Sequence, residues 1–225
     1  MNAREASYEI QYGNVKRSTT MNHSWEQARF EVCFQKWLDL AEYGYGVSFM
    51  SDCKYGVSIY DSQVELTLLK CGRYPNPSAD RCHHEFIYSI YPHEGDWQQA
   101  GTVKEAYAVN NPVTVRVKGE NASMKCGADG AGAGKLSAEF EAVHISKNNV
   151  IAEVLKRSED GKSEIVRLYE CWNQRTNAEF TFAKAFAKVS LCNMLEEEEK
   201  VLAEHENSLK VGLKPYEIIT LKVEY

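Results

Sequence analysis

The stretch VIAEVLKRSEDGKSEIVRLYE, residues 150–170, decides the fold class. Val150, Ala152 and Val154 on one side, Val166 and Leu168 on the other, recur at every second position, and the polar run Ser158-Glu159-Asp160-Gly161-Lys162 divides them. Period two is the signature of a strand, because successive side chains of an extended chain point to opposite faces. The pattern therefore predicts two strands joined by a turn, residues 150–156 and 163–170.

Outward from there the same reading repeats. Further strands are predicted at 136–145, 178–182, 188–193, 209–213 and 216–224, with a second turn at 173–177. About seven short strands without a strong helix form the pattern of a β-sandwich. Toward the N-terminus, strands are predicted at 8–12, 29–34, 36–40, 46–50, 56–60 and 64–69. HEFIYSIY, residues 84–91, carries large side chains on both faces, which predicts a strand in the middle of a sheet. One helix is expected: Asp96 caps it, Trp97, Ala100, Val103, Tyr107 and Ala108 form its apolar stripe, and Asn110-Asn111-Pro112 ends it.

Between the two strand-rich parts, Gly119, Gly127, Gly130, Gly132 and Gly134 punctuate a segment with few large residues. It predicts a linker over 119–135 that separates a domain at 1–118 from a second at 136–225. The fragment ADGAGAGK within it superficially matches a phosphate loop, but Lys135 precedes Leu136 and a strand pattern rather than Ser or Thr and a helix.

Composition narrows the function classes. The 225 residues carry 26 Lys and Arg against 32 Asp and Glu, a net charge of −6, so no concentrated basic surface for nucleic acid is expected. No apolar run approaches the roughly 20 residues that span a bilayer, so no membrane association is expected. Asn2-Ala3-Arg4-Glu5 is no secretory leader, and a cytoplasmic setting follows as the default. The 7 cysteines are an odd number with no CxxC pair, which fits reduced and mostly buried thiols. The acidic run 196–199 reads as a solvated turn or short helix.

Chemistry is harder to find. Aromatic residues crowd into the part before Glu120, as either a larger core or a sugar-facing surface would require. His83, His84, Glu85 and His93 invite a metal site, yet adjacent residues on a strand face opposite ways, and no HExxH or CxxC spacing is present. No G-x-S-x-G elbow occurs, and 32 acidic residues offer too many carboxylate pairs for any one to be informative.

Specific strings go further. Ser24-Trp25, Ala28-Arg29-Phe30-Glu31-Val32, Asp52-Cys53-Lys54-Tyr55-Gly56, His84-Glu85-Phe86, Tyr91-Pro92-His93, Ala106-Tyr107 and Asn110-Asn111-Pro112 occur in the order in which they stand in the C-terminal region of class II α-mannosidases. Val166-Arg167-Leu168-Tyr169-Glu170 and Pro215-Tyr216-Glu217-Ile218-Ile219-Thr220 resemble the closing sandwich of the same enzymes. The chain thus resembles the β region of glycoside hydrolase family 38, cytosolic and vacuolar branch.

The resemblance implies an all-β fold: a large supersandwich portion followed by a smaller immunoglobulin-like β-sandwich, with one short helix. It implies that zinc, the nucleophilic aspartate and the acid/base aspartate belong to an N-terminal catalytic domain that this chain lacks. On that basis the chain is a non-catalytic fragment, with no catalytic or metal-binding residue of its own, although the parent enzyme releases terminal α-linked mannose with retention. Its expected partners are that catalytic domain, a mannose-containing glycan and, in an oligomer, further copies of itself. The turn at 52–56 and the loop at 73–80 are expected at the rim of the sugar site. There Asp52 would accept hydroxyl hydrogen bonds, Lys54 and Arg73 would donate them, Tyr55 would stack on a pyranose face, and Asp80 would stand beside them; a plain hairpin turn and solvated loop charges remain open. The family often has Asn where this chain has Ser51. A stand-alone carbohydrate-binding or interaction module is the rival reading.

Overall fold

The computed structural model describes residues 2–115 and 139–225, so the glycine-rich stretch expected as a linker, with Cys126, lies outside the described residues. The elements before it are β1 (Glu5–Ile10), β2 (Gly13–Ser18), α1 (Ser24–Gln27), β3 (Val32–Cys33), β4 (Trp37–Glu42), β5 (Tyr45–Ser51), β6 (Gly56–Tyr60), β7 (Gln63–Thr67), β8 (Tyr88–Glu94) and α2 (Thr102–Asn110). After it come β9 (Val143–Ile145), β10 (Val150–Arg157), β11 (Glu164–Glu170), β12 (Thr176–Cys192), β13 (Glu198–Leu213) and β14 (Ile218–Glu224). The described chain is all-β in class, with two short helices rather than one.

Three sheets result. One runs β2-β1-β4-β5-β8, a second β3-β6-β7, and a third β10-β11-β14-β12-β13 with β9 on β12. The first two pack face to face: Ala6, Tyr8, Leu38 and Leu40 meet Phe34 and Val57, with Ile59, Val64 and Leu66 at the margin. The opposite face of the first sheet is covered by α2, where Trp37 lies 4.7 Å from Trp97 and Val103 and Ala106 fill in.

In the third sheet, β12 pairs with β9 near Phe180 and with β14 from Lys188 onward, and its register with β13 shifts between Thr181 and Phe186. The shift bends the long hairpin so that residues of both its ends, Phe180 and Leu209 with Phe186 and Val189, share one core with Val166, Leu168, Leu221 and Val223. The strands expected at 178–182 and 188–193 are therefore one strand.

A third core joins the two parts. Tyr169 and Cys171, from β11 and its end, are buried among Trp37, Met50, Trp97, Val103 and Ala106. Polar contacts rim it: Asn14 Nδ2 donates to the Cys171 carbonyl at 3.0 Å, Tyr216 hydroxyl to the Asn14 carbonyl at 3.2 Å, and Lys104 Nζ to Asn148 at 2.8 Å.

Several expectations need correction. β8 is an edge strand, not a central one, and it starts at Tyr88; residues 84–87 are not strand, so the facing argument for His83 and His84 does not apply. The strand expected at 29–34 reduces to β3, because α1 and its continuation occupy the residues before it. β2 was not expected, since Val15 is its one large apolar residue. Asp96 caps a turn, accepting from the Gln99 N–H at 2.8 Å, and Gly101 at φ 71° separates that turn from α2. Cys33, Cys53, Cys71 and Cys82 are exposed, and Cys171 and Cys192 are the buried ones among the described cysteines. In the acidic run, Glu198 and Glu199 open β13, while Glu196 pairs with Lys156 at 2.7 Å and Glu198 with Lys188 at 2.9 Å.

Candidate functional site

The turn from β5 to β6 is held by two of its own side chains bonded to its backbone. Lys54 N–H donates to Ser51 Oγ at 3.0 Å, and the Tyr55 hydroxyl donates to the Asp52 carbonyl at 2.9 Å. Asp52 reaches the other way, toward the entry to β8: its carboxylate accepts from the Ile87 N–H at 3.0 Å and its N–H donates to the Ile87 carbonyl at 3.2 Å. Hydrogen bonds from Cys53 and from Ile87 N–H hold its carboxyl below the usual range. Lys54 follows it, with Nζ 5.6 Å from the centre of the Phe86 ring.

Tyr55 turns to the opposite side, its ring edge-on to Phe34 at 6.0 Å. There it joins Phe30, Glu31, Val32, Cys33, Gly56 and Lys70 around a shallow cleft that is wide open to solvent. Glu31 accepts from Thr67 Oγ1 at 2.9 Å and from Lys70 Nζ at 3.3 Å, and these two contacts, Thr67 first, hold its carboxyl below the usual range. Gly56 makes the arrangement feasible: a Cβ there would come within 2.8 Å of Glu31 Oε1 and 3.2 Å of Thr67 Cβ. Phe30, 66% exposed, offers an apolar face beside this polar pair, and its carbonyl accepts from the Ser58 hydroxyl.

The five rim residues expected from sequence thus divide. Tyr55 lines the cleft; Asp52 and Lys54 face the segment before β8; Arg73 and Asp80 are exposed on the loop between β7 and β8, outside the cleft lining. Asp80 contributes its carbonyl, which accepts from His84 Nε2 at 2.8 Å. Glu31 and Lys70 line the cleft without having been singled out in the sequence. Glu31 stood inside a recognised string, but its partners lie 36 and 39 residues away, a separation that no local pattern encodes.

The zinc that the family resemblance implies finds no ligand set here. Among the described residues, no three His, Cys, Asp or Glu side chains are placed to hold one ion. His93 is committed elsewhere, buried and 2.8 Å from Asp39 Oδ1, which also accepts from Ser48 Oγ at 2.7 Å. His83 lies 3.1 Å from Glu85, both exposed. No helix among the described residues is long and apolar enough to cross a membrane.

Comparison with known proteins adds what geometry alone does not. Residues 1–78 match the model of the glycosyl hydrolases family 38 C-terminal domain, and residues 149–221 match that of the family's C-terminal beta sandwich domain. The chain is 34% identical over 225 residues to alpha-mannosidase G of Dictyostelium discoideum, covering 98% of this chain and 20% of that protein. It is 32% identical over 222 residues to human alpha-mannosidase 2C1, covering 96% of this chain and 20% of that protein. The yeast alpha-mannosidase is 47% identical over 105 residues, which cover 47% of this chain and 10% of that protein. The crystal structure of an alpha-mannosidase from Enterococcus faecalis superposes with a TM-score of 0.74 at 20% identity, over all of this chain and 24% of that one, a likeness of fold. The chain spans about a fifth of the length of the Dictyostelium and human relatives.

Proposed function

We propose a function that proceeds from one fact: the chain belongs to the C-terminal β region of glycoside hydrolase family 38. It serves as the non-catalytic part of an α-mannosidase that hydrolyses terminal α-linked mannose with retention at a zinc site held by the rest of the protein. Its work is to pack on the catalytic domain and shape the sugar cleft. The observation that carries this reading is the asymmetry of the match, 98% of this chain against 20% of the Dictyostelium protein. The division into 1–118, 119–135 and 136–225 belongs to the same proposal, and the two family matches on either side of 116–138 support it. So does a cytosolic setting, which suits the 6 described cysteines, all of them free thiols.

Within this reading the loops around β5, β6 and β7 meet the substrate. Glu31 and Lys70 present a carboxylate and an ammonium beside the Phe30 and Tyr55 rings, the mixture of apolar face and oriented polar groups that sugars require. Asp52, Lys54, Arg73 and Asp80 form the outer rim. The isolated chain is expected to leave nitrophenyl α-mannoside intact. Grafted in place of the matching fifth of alpha-mannosidase G, it should restore hydrolysis, and Tyr55→Ala in the graft should raise KM several-fold with a smaller effect on kcat. Tight mannose or mannobiose binding by the isolated chain in calorimetry, with no activity in the graft, would favour the stand-alone module instead.

A further inference from the structure

The apolar face that β1 and β4 bury continues past its cover. Tyr8 stands opposite Leu38, Leu38 opposite Phe49, and Phe49 opposite Ile90, so one row of side chains crosses four strands on one face. A second row runs Ala6, Leu40, Val47, Pro92. Along both rows burial fades: the β1 and β4 members are buried, Phe49 and Val47 are half-buried, and Ile90 and Pro92 are exposed. The sheet β3-β6-β7 covers the first strands and stops short of the last. Tyr88 shares the bare end, at 53% exposure beside 59% for Ile90.

The backbone of β8 is open as well. Ile87 exchanges hydrogen bonds with Asp52, and the Gly95 N–H donates to the Gly44 carbonyl at 3.1 Å, so the odd-numbered residues turn their polar groups toward β5. Alternation then sends the N–H and C=O groups of Tyr88 and Ile90 outward, along an edge that no strand pairs among the described residues. Pro92 falls on that same outward side, where its missing N–H costs no ladder bond.

We propose that this face of β5 and β8, together with the open edge of β8, is the seat of an apolar, strand-pairing segment from the remainder of an α-mannosidase-length chain. The proposal rests on the function given above and names the surface through which the packing occurs. The occupant follows from length and chemistry together. The match leaves four-fifths of alpha-mannosidase G outside the region compared, ample chain to supply a cover for a core face left bare among the described residues. A second copy is the poorer occupant, because β8 against β8 would set two edges against each other that each lack the Pro92 donor.

The test uses the graft of this chain into alpha-mannosidase G and hydrogen exchange at the outward amides of Tyr88 and Ile90. Those amides should exchange at least about tenfold more slowly in the graft than in the isolated chain. Ile90→Lys should lower the temperature at which the graft loses activity, whereas Leu155→Lys, at an exposed position of β10, should not. An active graft whose two amides stay unprotected overturns the docking face and leaves the function standing. A graft that is inactive and unprotected overturns both. Protection that grows with concentration in the isolated chain assigns the face to a second copy and likewise overturns the proposal.

Discussion

Glu9 is the residue most at odds with its surroundings. It is 3% exposed, Oε1 accepts from Lys36 Nζ at 3.1 Å, and Oε2 is buried with no hydrogen-bond partner among the described residues. Burial outweighs the Lys36 charge and pushes the carboxyl up from 4.5 to about 7. The folded state therefore holds its proton more tightly than the unfolded chain. Stability from this group is full below the unfolded value, falls as pH rises through 4.5 to about 7, and levels off above that. The loss is on the order of 3 kcal/mol. Glu9→Gln, which keeps an acceptor for Lys36, should match the parent at pH 4 and exceed it at pH 8 in urea denaturation; a less stable variant at pH 8 would mean that the ion pair outweighs burial. Sequence carries no warning of this residue, because the charged groups that act on it, Lys36 and Glu153, stand far along the chain. The turn that carries Tyr55 was legible, since Asp52-Cys53-Lys54-Tyr55-Gly56 reads as a turn and stands between β5 and β6. The Tyr55 hydroxyl, however, is used inside the turn, which no string reveals.

At the scale of elements, alternation located strands well and their neighbours poorly. Residues 150–156 and 163–170 became β10 and β11 almost as expected, joined by a turn with Gly161 at φ 72°. HEFIYSIY misled because large residues on both faces say that both faces are covered, without saying whether the cover is in the same chain. β10 also departs from strict period two: its register with β11 shifts between Ala152 and Val154, leaving Glu153 as the extra residue. The bulge aims Glu153 at the Tyr107 hydroxyl of α2, which also lies 3.0 Å from the Tyr169 hydroxyl. Burial, with Tyr169 and Glu153 adding to it, raises the Tyr107 phenol far above its ordinary value, so it stays a donor at any working pH. Tyr107→Phe and Glu153→Gln should each cost about 1 to 2 kcal/mol, and the double variant should fall short of the sum by roughly 1 kcal/mol. Chemical denaturation of the four proteins measures this, and strict additivity would show that the bulge has another purpose.

For the whole molecule, what matters is how the two strand-rich parts are joined, which a glycine-rich segment read alone makes look loose. The third core answers that, because Tyr169 from β11 is buried against residues of the first sheet and α2, and its ring meets Tyr12 edge-on at 5.3 Å. Asn14 is held by both the Cys171 carbonyl and the Tyr216 hydroxyl, and Gly13 leaves room for Tyr216, whose ring a Cβ would approach to 3.2 Å. Apolar packing rimmed by satisfied polar groups resists separation more than either alone, since parting the halves would wet Trp37, Trp97 and Tyr169 together. The chain should consequently unfold in one transition, with tryptophan fluorescence, whose reporters at the seam are Trp37, Trp97 and Trp172 while Trp25 is exposed, coinciding in urea with far-ultraviolet circular dichroism, which reports all three sheets. Tyr169→Ala removes the ring that both sides share and should cost about 3 to 5 kcal/mol at the seam. The fluorescence transition should then move to lower urea than the circular dichroism transition. Coincident curves in the variant would mean that the rim contacts of Asn14, Lys104 and Tyr216 suffice to couple the two parts.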